Sequence, residues 1–227
     1  MNNTKEFNLK IIKRLQDEAK LFLTTKNLIM EGIVIIPKEI EVYYYKEKEF
    51  EDDSVHRNEL QKNHRNHFYI HRRGKKNQDA YKGGNRAGID FIISGDNNVY
   101  YSYLIRSAVI NGQLVVGPHK VLVEIKSASN LRYTDIENKE VVLASNNTSD
   151  DVVLFSKRIN LGKNVSEDFL NYRLRAVLCD ELFSGSKYPK KEEMIINYVL
   201  GQEMTNEQAS YYAKKHLGYI PSSIKNL

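Results

Sequence analysis

Residues 32–45 read GIVIIPKEIEVYYY, and this apolar stretch sets the arrangement of the strands around it. Gly32 opens a β-branched run at Ile33–Ile36, Pro37 interrupts the run, and a second run extends from Ile40 to Tyr45. β-branched and aromatic residues favour strands, whereas proline lacks the N–H group that a central strand needs. We therefore predict two strands that are separated at Pro37.

A helix is predicted before this stretch, and a loop and further strands are predicted after it. Apolar residues recur at helical spacing from Phe7 to Thr25, which predicts an amphipathic helix. The segment from Lys46 to Arg65 is charged and poor in apolar residues, so it is predicted as a surface loop. Strand patterns resume at four places: His67–Arg72, Ala87–Ser94, Tyr100–Ile110 and Gln113–Val116.

The second half of the chain has fewer strand patterns and ends in helices. Residues 127–150 are polar and predict a long polar excursion. Strand patterns return at Val152–Ile159 and Tyr172–Leu178, and helical patterns follow at Lys191–Leu200 and Asn206–Leu217. Short strands with few helices between them predict an α+β fold with a largely antiparallel sheet.

Two units are predicted from this pattern. Residues 1–178 would form an α+β domain, and residues 179–227 would form a helical C-terminal extension packed on it. A length of 227 residues fits one large domain with a small appendage.

Composition narrows the class of protein. Hydrophobic residues make up 41% of the chain, enough for a packed core, which excludes a disordered protein. No apolar run approaches the ~20 residues of a membrane span, and the N-terminus has no signal-peptide core, so we expect no membrane association. The single Cys179 excludes an intramolecular disulfide and is typical of a reducing compartment, and we expect a cytoplasmic monomer.

The charge distribution suggests a partner. The net charge of +5 is compatible with a polyanion. Cations attract phosphates and aromatic rings stack on bases, and the chain mixes both kinds of residue between His56 and Arg86. The cations there are Arg57, Lys62, Arg65, Arg72, Arg73, Lys75, Lys76, Lys82 and Arg86, and the aromatic residues are Phe68, Tyr69 and Tyr81. We predict nucleic acid as the partner; a solvated basic loop is the alternative.

Four short motifs carry candidate chemistry. They are the carboxylate Glu41 in the string EIEVY, the histidine His56 in DDSVH, the arginine Arg106 in LIR, and the turn at Gly117–Lys120. This set of residues is suited to holding a flat base. It consists of a carboxylate two residues before an aromatic residue, then a histidine, a strand of basic and aromatic residues, and an arginine. The carboxylate would activate a water against the glycosidic bond of that base.

In this order along the chain, the motifs resemble those of the alkyladenine (3-methyladenine) DNA glycosylase family. Glu41-Val42-Tyr43 resembles the family's Glu-x-Tyr, and the pair Asp52 and His56 resembles its acidic loop with a histidine. The resemblance covers roughly residues 10–178. It implies a formyltransferase-C-terminal-like fold, in which helices flank a curved, mostly antiparallel sheet.

The resemblance also implies roles for individual residues. Glu41 would be the general base, with Arg106 beside it in the active site. Tyr43 and His71 would stack on the two faces of an extruded base. Further contacts with the base or nucleotide are implied for His56 and Ser94. Contacts with DNA are predicted from the basic segment for Arg72, Arg73, Lys75 and Lys76, and from its place at a helix start for Lys120.

The sequence departs from the family pattern at three positions. No aromatic residue lies near Arg73-Gly74, where the family has a tyrosine that wedges into the duplex. Ser94 lies where the family has an asparagine that screens purines, and His71 replaces a stacking tyrosine. These departures leave open which base is recognised and whether the substrate is an ordinary duplex.

The activity that the resemblance implies is hydrolysis of an N-glycosidic bond. We expect a monofunctional DNA glycosylase that flips out an alkylated or otherwise modified base and leaves an abasic site. It would act in DNA repair or in defence against modified foreign DNA. We expect no metal and no cofactor.

Two alternatives belong to other classes of protein. A Mg²⁺-dependent nuclease would use Asp90, Glu124 and Lys126, in which carboxylates bind the metal and the lysine positions water or phosphate. That alternative requires a strand at residues 118–126, whereas the glycosylase requires a helix that begins after Gly117-Pro118. The second alternative is a catalytically inactive nucleic-acid-binding module.

Overall fold

The computed structural model describes residues 2–146, 151–162 and 164–227, and its fold is α+β as predicted. The strands are β1 (Lys26–Met30), β2 (Ile33–Lys46), β3 (Phe50–Glu51), β4 (Phe68–Ile70), β5 (Ile89–Ile92), β6 (Val99–Ile110), β7 (Gln113–Val116), β8 (Val142–Ser145), β9 (Val152–Ser156) and β10 (Arg175–Cys179). The helices are α1 (Asn2–Thr25), α2 (Leu60–Asn63), α3 (Pro118–Ser129), α4 (Tyr133–Glu137), α5 (Glu167–Asn171), α6 (Glu181–Gly185), α7 (Lys191–Leu200), α8 (Asn206–Leu217) and α9 (Ser222–Lys225).

The two longest strands, β2 and β6, form the centre of an antiparallel sheet that curls into a half-barrel. Strand β6 pairs along one edge of β2 from Ile35 to Lys46. Three shorter strands pair with the other edge of β2, in the order β1, β10 and β3 along that strand. Strands β5 and β7 pair with β6, and β4, β8 and β9 extend the sheet from β5, β1 and β10.

Pro37 does not separate two strands, so that prediction is wrong. Strand β2 continues through it, and the register with β6 shifts on either side of Glu39. Pro37 lies opposite Ala108, Glu39 opposite Ser107 and Ile40 opposite Ile105, so Lys38 and Arg106 are each an extra residue without a partner. A proline is tolerated at such a bulge because the ladder of hydrogen bonds is already interrupted there.

The main core lies between the sheet and the helices α1 and α3. The predicted stripe of α1 is buried at Leu15, Ala19 and Leu23, and the helix prediction is confirmed. Helix α3 buries Val121 and Ile125 against the same core. Each fully buried aliphatic side chain stabilises the fold by roughly 1.5–3 kcal/mol relative to an exposed one.

The C-terminal helices pack against β9 and β10 through a second apolar cluster. Val177 of β10 is fully buried in this cluster together with Phe183, Met194 and Ile195. The predictions for α7 and α8 are confirmed with the same bounds. Helix α8 begins with a capping box between Thr205 and Gln208, which satisfies N–H groups that the first turn leaves free.

The predicted strand at Gln113–Val116 is confirmed as β7 with the same bounds. Strands β4, β5 and β9 are shorter than predicted, β6 begins one residue earlier, and β10 begins three residues later and ends one residue later. The predicted excursion at residues 127–150 is wrong where the structure describes it: the end of α3, helix α4 and strand β8 lie there, and β8 pairs with β1. Residues 147–150 lie outside the described residues. Among the described helices, none is both long and apolar enough to cross a membrane.

The segment from Lys46 to Arg65 is also more than a surface loop. Phe50 is 1% exposed, and Asp52 is fully buried against Arg158 with an Nη1–Oδ2 distance of 2.6 Å. Arg158 also donates to the carbonyl of Val42 (3.1 Å). A charged segment can cross the interior here because a guanidinium from a distant part of the chain neutralises its carboxylate.

Asp52→Asn should destabilise the protein by about 3–5 kcal/mol, because it leaves the Arg158 charge buried without its carboxylate. Denaturant unfolding followed by circular dichroism would measure the change. Asp53→Asn is the matched control: this exposed neighbour accepts the Ser166 N–H (3.1 Å), and its loss should cost about 1 kcal/mol or less. Equal effects of the two substitutions would contradict the prediction.

Candidate active site

A cleft of about 1140 Å³ opens beside the bulged part of β2 and β6. Its walls come from these strands and β5, from the segments between β3 and β4 and between β4 and β5, from the start of α3 and from the segment after β9. Six of the predicted site residues line it: Glu41, Tyr43, His56, His71, Arg106 and Lys120. The fold therefore brings together motifs that are up to 79 residues apart in sequence, since Lys120 lies 79 positions after Glu41.

Glu41 is a buried carboxylate whose hydrogen bonds fix its position. Its Oε1 accepts the Ile159 backbone N–H (2.7 Å) and lies 3.3 Å from Arg106 Nη1, and its Oε2 accepts the Tyr43 hydroxyl (3.0 Å). An ionised carboxylate offers about four acceptor positions, so these contacts leave one for a further donor such as water.

Arg106 is held between two carboxylates of β2. Its Nε donates to Glu39 Oε1 (2.9 Å), while its Nη1 contacts Glu41. Burial by itself would lower the pKa of Arg106, but the charges of Glu41 and Glu39 raise it. Glu39 Oε1 also accepts the Nε of Arg175 (2.7 Å), a fully buried side chain on β10.

Tyr43 presents its ring between two charged partners. Its hydroxyl bonds Glu41, and the guanidinium of Arg158 lies over the ring at 5.0 Å from its centroid. Burial, followed by the charge of Glu41, raises the pKa of the Tyr43 hydroxyl, so the hydroxyl stays protonated and donates. Because Arg158 covers one face of the ring, a base can stack only on the other face.

His71 is positioned by a buried carboxylate that sequence analysis assigned to a different role. Its Nε2 lies 2.7 Å from Asp90 Oδ1, and Asp90 Oδ2 accepts from Ser102 (2.8 Å) and Gln61 (3.2 Å). Burial opposes ionisation of Asp90, yet His71 and these hydrogen bonds lower its pKa. The opposite side of the ring is close to Gly88, where a Cβ atom would lie 3.0 Å from His71 Cε1.

His56 lies against His71 with 4.6 Å between ring centroids and lines the same cleft. Its Nδ1 is 3.3 Å from the Tyr69 hydroxyl, and its Nε2 is 2.6 Å from Lys82 Nζ. Burial, followed by the electrostatic effects of the neighbouring His71 and Lys82, lowers the pKa of His56 from 6.5 to about 3. His56 is therefore a neutral hydrogen-bonding group at neutral pH.

The start of α3 closes one side of the cleft. Gly117 has φ +114°, a conformation that disfavours other residues, and Pro118 occupies the first turn. The first helical bond runs from the Val121 N–H to the Gly117 carbonyl (3.0 Å). The N–H groups of His119 and Lys120 precede that bond, so they face outward at the positive end of the helix.

Two predicted contacts differ in the structure. Arg72 is 6% exposed and forms a buried ion pair with Glu137, and its guanidinium lies 4.1 Å from the centroid of the Tyr81 ring. It therefore fixes α4 to the segment after β4 and has no free face for a phosphate. Ser94 is buried outside the cleft, where its hydroxyl donates to the Val99 carbonyl (2.7 Å) in a turn.

The other predicted DNA contacts lie on the surface next to the cleft. Arg73, Lys75 and Lys76 are exposed in the segment that joins β4 to β5. The same segment contributes Lys82 and Arg86 to the cleft wall. Their position is compatible with the predicted role, which stays a prediction.

Sequence analysis gave no role in the site to several residues that line the cleft. These are Asp53, Ser54, Gln61, Lys82, Asn85, Arg86, Leu104 and the segment after β9 with Ile159, Asn160, Leu161, Gly162, Asn164 and Val165. The basic run that includes Lys82 and Arg86 was a usable signal. The Ile159 N–H carries no signal of its own, since it acts through the backbone.

The strand that the nuclease alternative requires is absent, because residues 118–126 belong to helix α3. Asp90 lines the cleft, whereas Glu124 and Lys126 lie on α3 and are not part of its wall. Among the described residues, no group of three or more His, Cys, Asp or Glu side chains is arranged to hold a metal ion.

The fold and the cleft define an α+β protein with a buried carboxylate–arginine centre in an open, partly cationic cleft. No protein-family model matches this chain, and no curated protein matches it either. The family resemblance therefore depends on the sequence motifs alone and stays a prediction.

The lowered pKa of His56 predicts a specific loss of stability in acid. Between pH 6.5 and about 3 the unfolded chain binds a proton at His56 that the folded protein does not, so acid favours unfolding. In this range the free energy of unfolding of the wild type should fall relative to His56→Gln by up to about 1.4 kcal/mol per pH unit. Denaturant unfolding at pH 7, 6 and 5 measures the free energy of unfolding of both proteins, and His119→Gln is the control. Parallel pH profiles of the wild type and His56→Gln would refute the prediction.

Proposed function

We propose that the protein is a DNA glycosylase that flips a modified base into the cleft and hydrolyses its N-glycosidic bond. The observation that carries the proposal is the buried Glu41 carboxylate, which is held by Arg106, Tyr43 and the Ile159 N–H and still faces an open cleft. Cationic groups surround the same cleft, as a site for DNA requires.

Glu41 would act as the general base in this reaction. Cleavage of the glycosidic bond builds positive charge on the sugar, and a fixed carboxylate stabilises that charge without having to reorganise. The remaining acceptor position of Glu41 would bind the attacking water and take its proton. Arg106 would orient Glu41 and balance its charge through their 3.3 Å contact.

The base would be held by aromatic and imidazole rings. Tyr43 has one ring face available, since Arg158 covers the other, and His71 is fixed by Asp90 on the neighbouring strand β5. Extruding a base from a duplex costs a few kcal/mol, which stacking in the cleft would offset. His56, as a neutral donor and acceptor, would bond the nucleotide.

The substrate class that we propose is DNA with an alkylated or otherwise modified base, in repair or in defence against modified foreign DNA. A volume of about 1140 Å³ exceeds what one planar base fills, so the cleft also has room for sugar, phosphate or a substituent on the base. Hydrolysis of the bond would leave an abasic site.

Glu41→Gln should lower the rate of base release by at least about 100-fold, because it removes the general base while keeping the size of the side chain. Purified wild type and variant would be incubated in EDTA with DNAs that carry alkylated, deaminated or hypermodified bases. Alkali-labile sites and free base are then measured.

Glu47→Gln is the control and should retain wild-type activity, because Glu47 is exposed in the turn that follows β2, the strand of Glu41. Base release that is equal in Glu41→Gln and wild type would rule out the proposed role of Glu41. Strand breaks that occur only after Mg²⁺ is added would favour the nuclease alternative instead.

Lys120→Ala should weaken DNA binding and reduce the slope of log K against log salt by about 1, because it removes one phosphate contact at the start of α3. Fluorescence anisotropy with a short duplex over a range of salt concentrations measures both quantities. Lys126→Ala, at the other end of α3 and outside the cleft wall, is the matched control. An unchanged slope in Lys120→Ala would show that Lys120 makes no such contact.

A further inference from the structure

Lys82 is a cleft residue for which the hydrolytic reaction provides no role. Its backbone N–H donates to the His71 carbonyl (2.8 Å), which fixes the start of the side chain beside the rings of the cleft. Its Nζ lies 2.6 Å from His56 Nε2. The side chain is partly buried and lines the same cleft as Glu41 and Arg106.

The surroundings of Lys82 differ from those of a lysine that serves only as a charge. Among the described residues, no carboxylate lies within 4.0 Å of its Nζ to form an ion pair. Its hydrogen-bond partner, His56, is a neutral imidazole. Burial and the charge of Arg86 lower the pKa of Lys82, although the charge of Asp90 opposes this. An amine that loses its proton more readily than usual is a better nucleophile.

From this geometry we propose that Lys82 is a catalytic nucleophile that captures the aldehyde of an abasic site and gives the protein a β-lyase activity. The inference rests on the proposed function, since base removal by Glu41 would generate the abasic site in the same cleft. It departs from the monofunctional hydrolysis expected from the sequence, because it adds a second step on the product.

The step balances without a metal or an oxidant. The Lys82 nitrogen adds to C1′ of the ring-opened sugar, and the carbonyl oxygen takes up the proton that the nitrogen releases. The neutral His56 Nε2 is 2.6 Å away and can relay that proton. The hydroxyl of the adduct then takes up one proton from solvent and leaves as water, which forms a positively charged C1′=N iminium.

The iminium makes the neighbouring C2′ hydrogen acidic. When that proton passes to solvent, the C2′–H electrons form a double bond and the C3′–O bond breaks, so the 3′ phosphate leaves with the bonding pair. Water then hydrolyses the iminium, which returns the Lys82 amine and releases an unsaturated aldehyde on the 3′ end. The other product is a strand with a 5′ phosphate.

Borohydride trapping on a duplex with a preformed abasic site tests this step without requiring base excision. Wild type should form a covalent adduct with this duplex and none with a tetrahydrofuran analogue, which lacks the aldehyde. Lys82→Arg keeps the positive charge but has no nucleophilic amine, so it should lose trapping while still binding the analogue. Lys126→Arg is the control and should be trapped like the wild type.

Trapping of Lys82→Arg at the wild-type level, or no trapping of the wild type, would overturn the inference. If Lys82→Arg does not fold or bind, peptide mass spectrometry of the wild-type adduct decides, and an adduct on another amine would overturn it as well. The same measurements distinguish a failure of the glycosylase proposal from a failure of the Lys82 proposal. Base release without trapping leaves only the glycosylase, whereas trapping at Lys82 without release of any base leaves only the reactive lysine.

Discussion

Two glutamates on the central strand β2, buried side by side with their arginines, are the constraint on which the rest of the structure depends. A carboxylate moved out of water costs several kcal/mol unless a charge and hydrogen bonds compensate it. Glu39 receives both Arg106 from β6 and Arg175 from β10, so one carboxylate ties three strands together. Glu41 shares Arg106 and completes its bonds with Tyr43 and the Ile159 N–H.

The two bulges explain how this arrangement fits into a sheet. The register of β2 and β6 is the same before Pro37 and after Ile40, so the irregularity is confined to the extra residues Lys38 and Arg106. Each extra residue is a cation with a carboxylate partner: Lys38 bonds Asp180 (2.7 Å), and Arg106 bonds the glutamates. Bulges re-aim side chains next to functional sites, and here they direct one cation at Asp180 and one at the two glutamates.

Local patterns predicted the parts of the structure that local physics determines. Helices α7 and α8 follow from their periodicity and end signals, and the alternation in β2 puts Glu41 and Tyr43 on one face. Residues whose role depends on a distant partner could not be predicted. Arg72 and Arg73 are neighbours in a basic run, yet only Arg72 meets Glu137, 65 positions away, and becomes structural.

The cleft combines a rigid wall and an adaptable one, and this division follows from how each charge is held. Glu41 and Arg106 lie on long paired strands with buried partners, so their separation is fixed before any ligand binds, as catalysis by a carboxylate requires. Lys82, Arg86 and Lys120 come from a connecting segment and a helix start, where side chains can follow the path of a phosphate backbone. Sheet substitutions should therefore change stability and chemistry together, whereas changes on the other wall act on affinity or on the later step alone. For the proposed glycosylase, the side chains of the second wall could change with the nucleic acid while the buried partners of Glu41 and Arg106 stay in place, and the Gly117 N–H, which donates to the Arg106 carbonyl (2.7 Å), joins the two walls through the backbone.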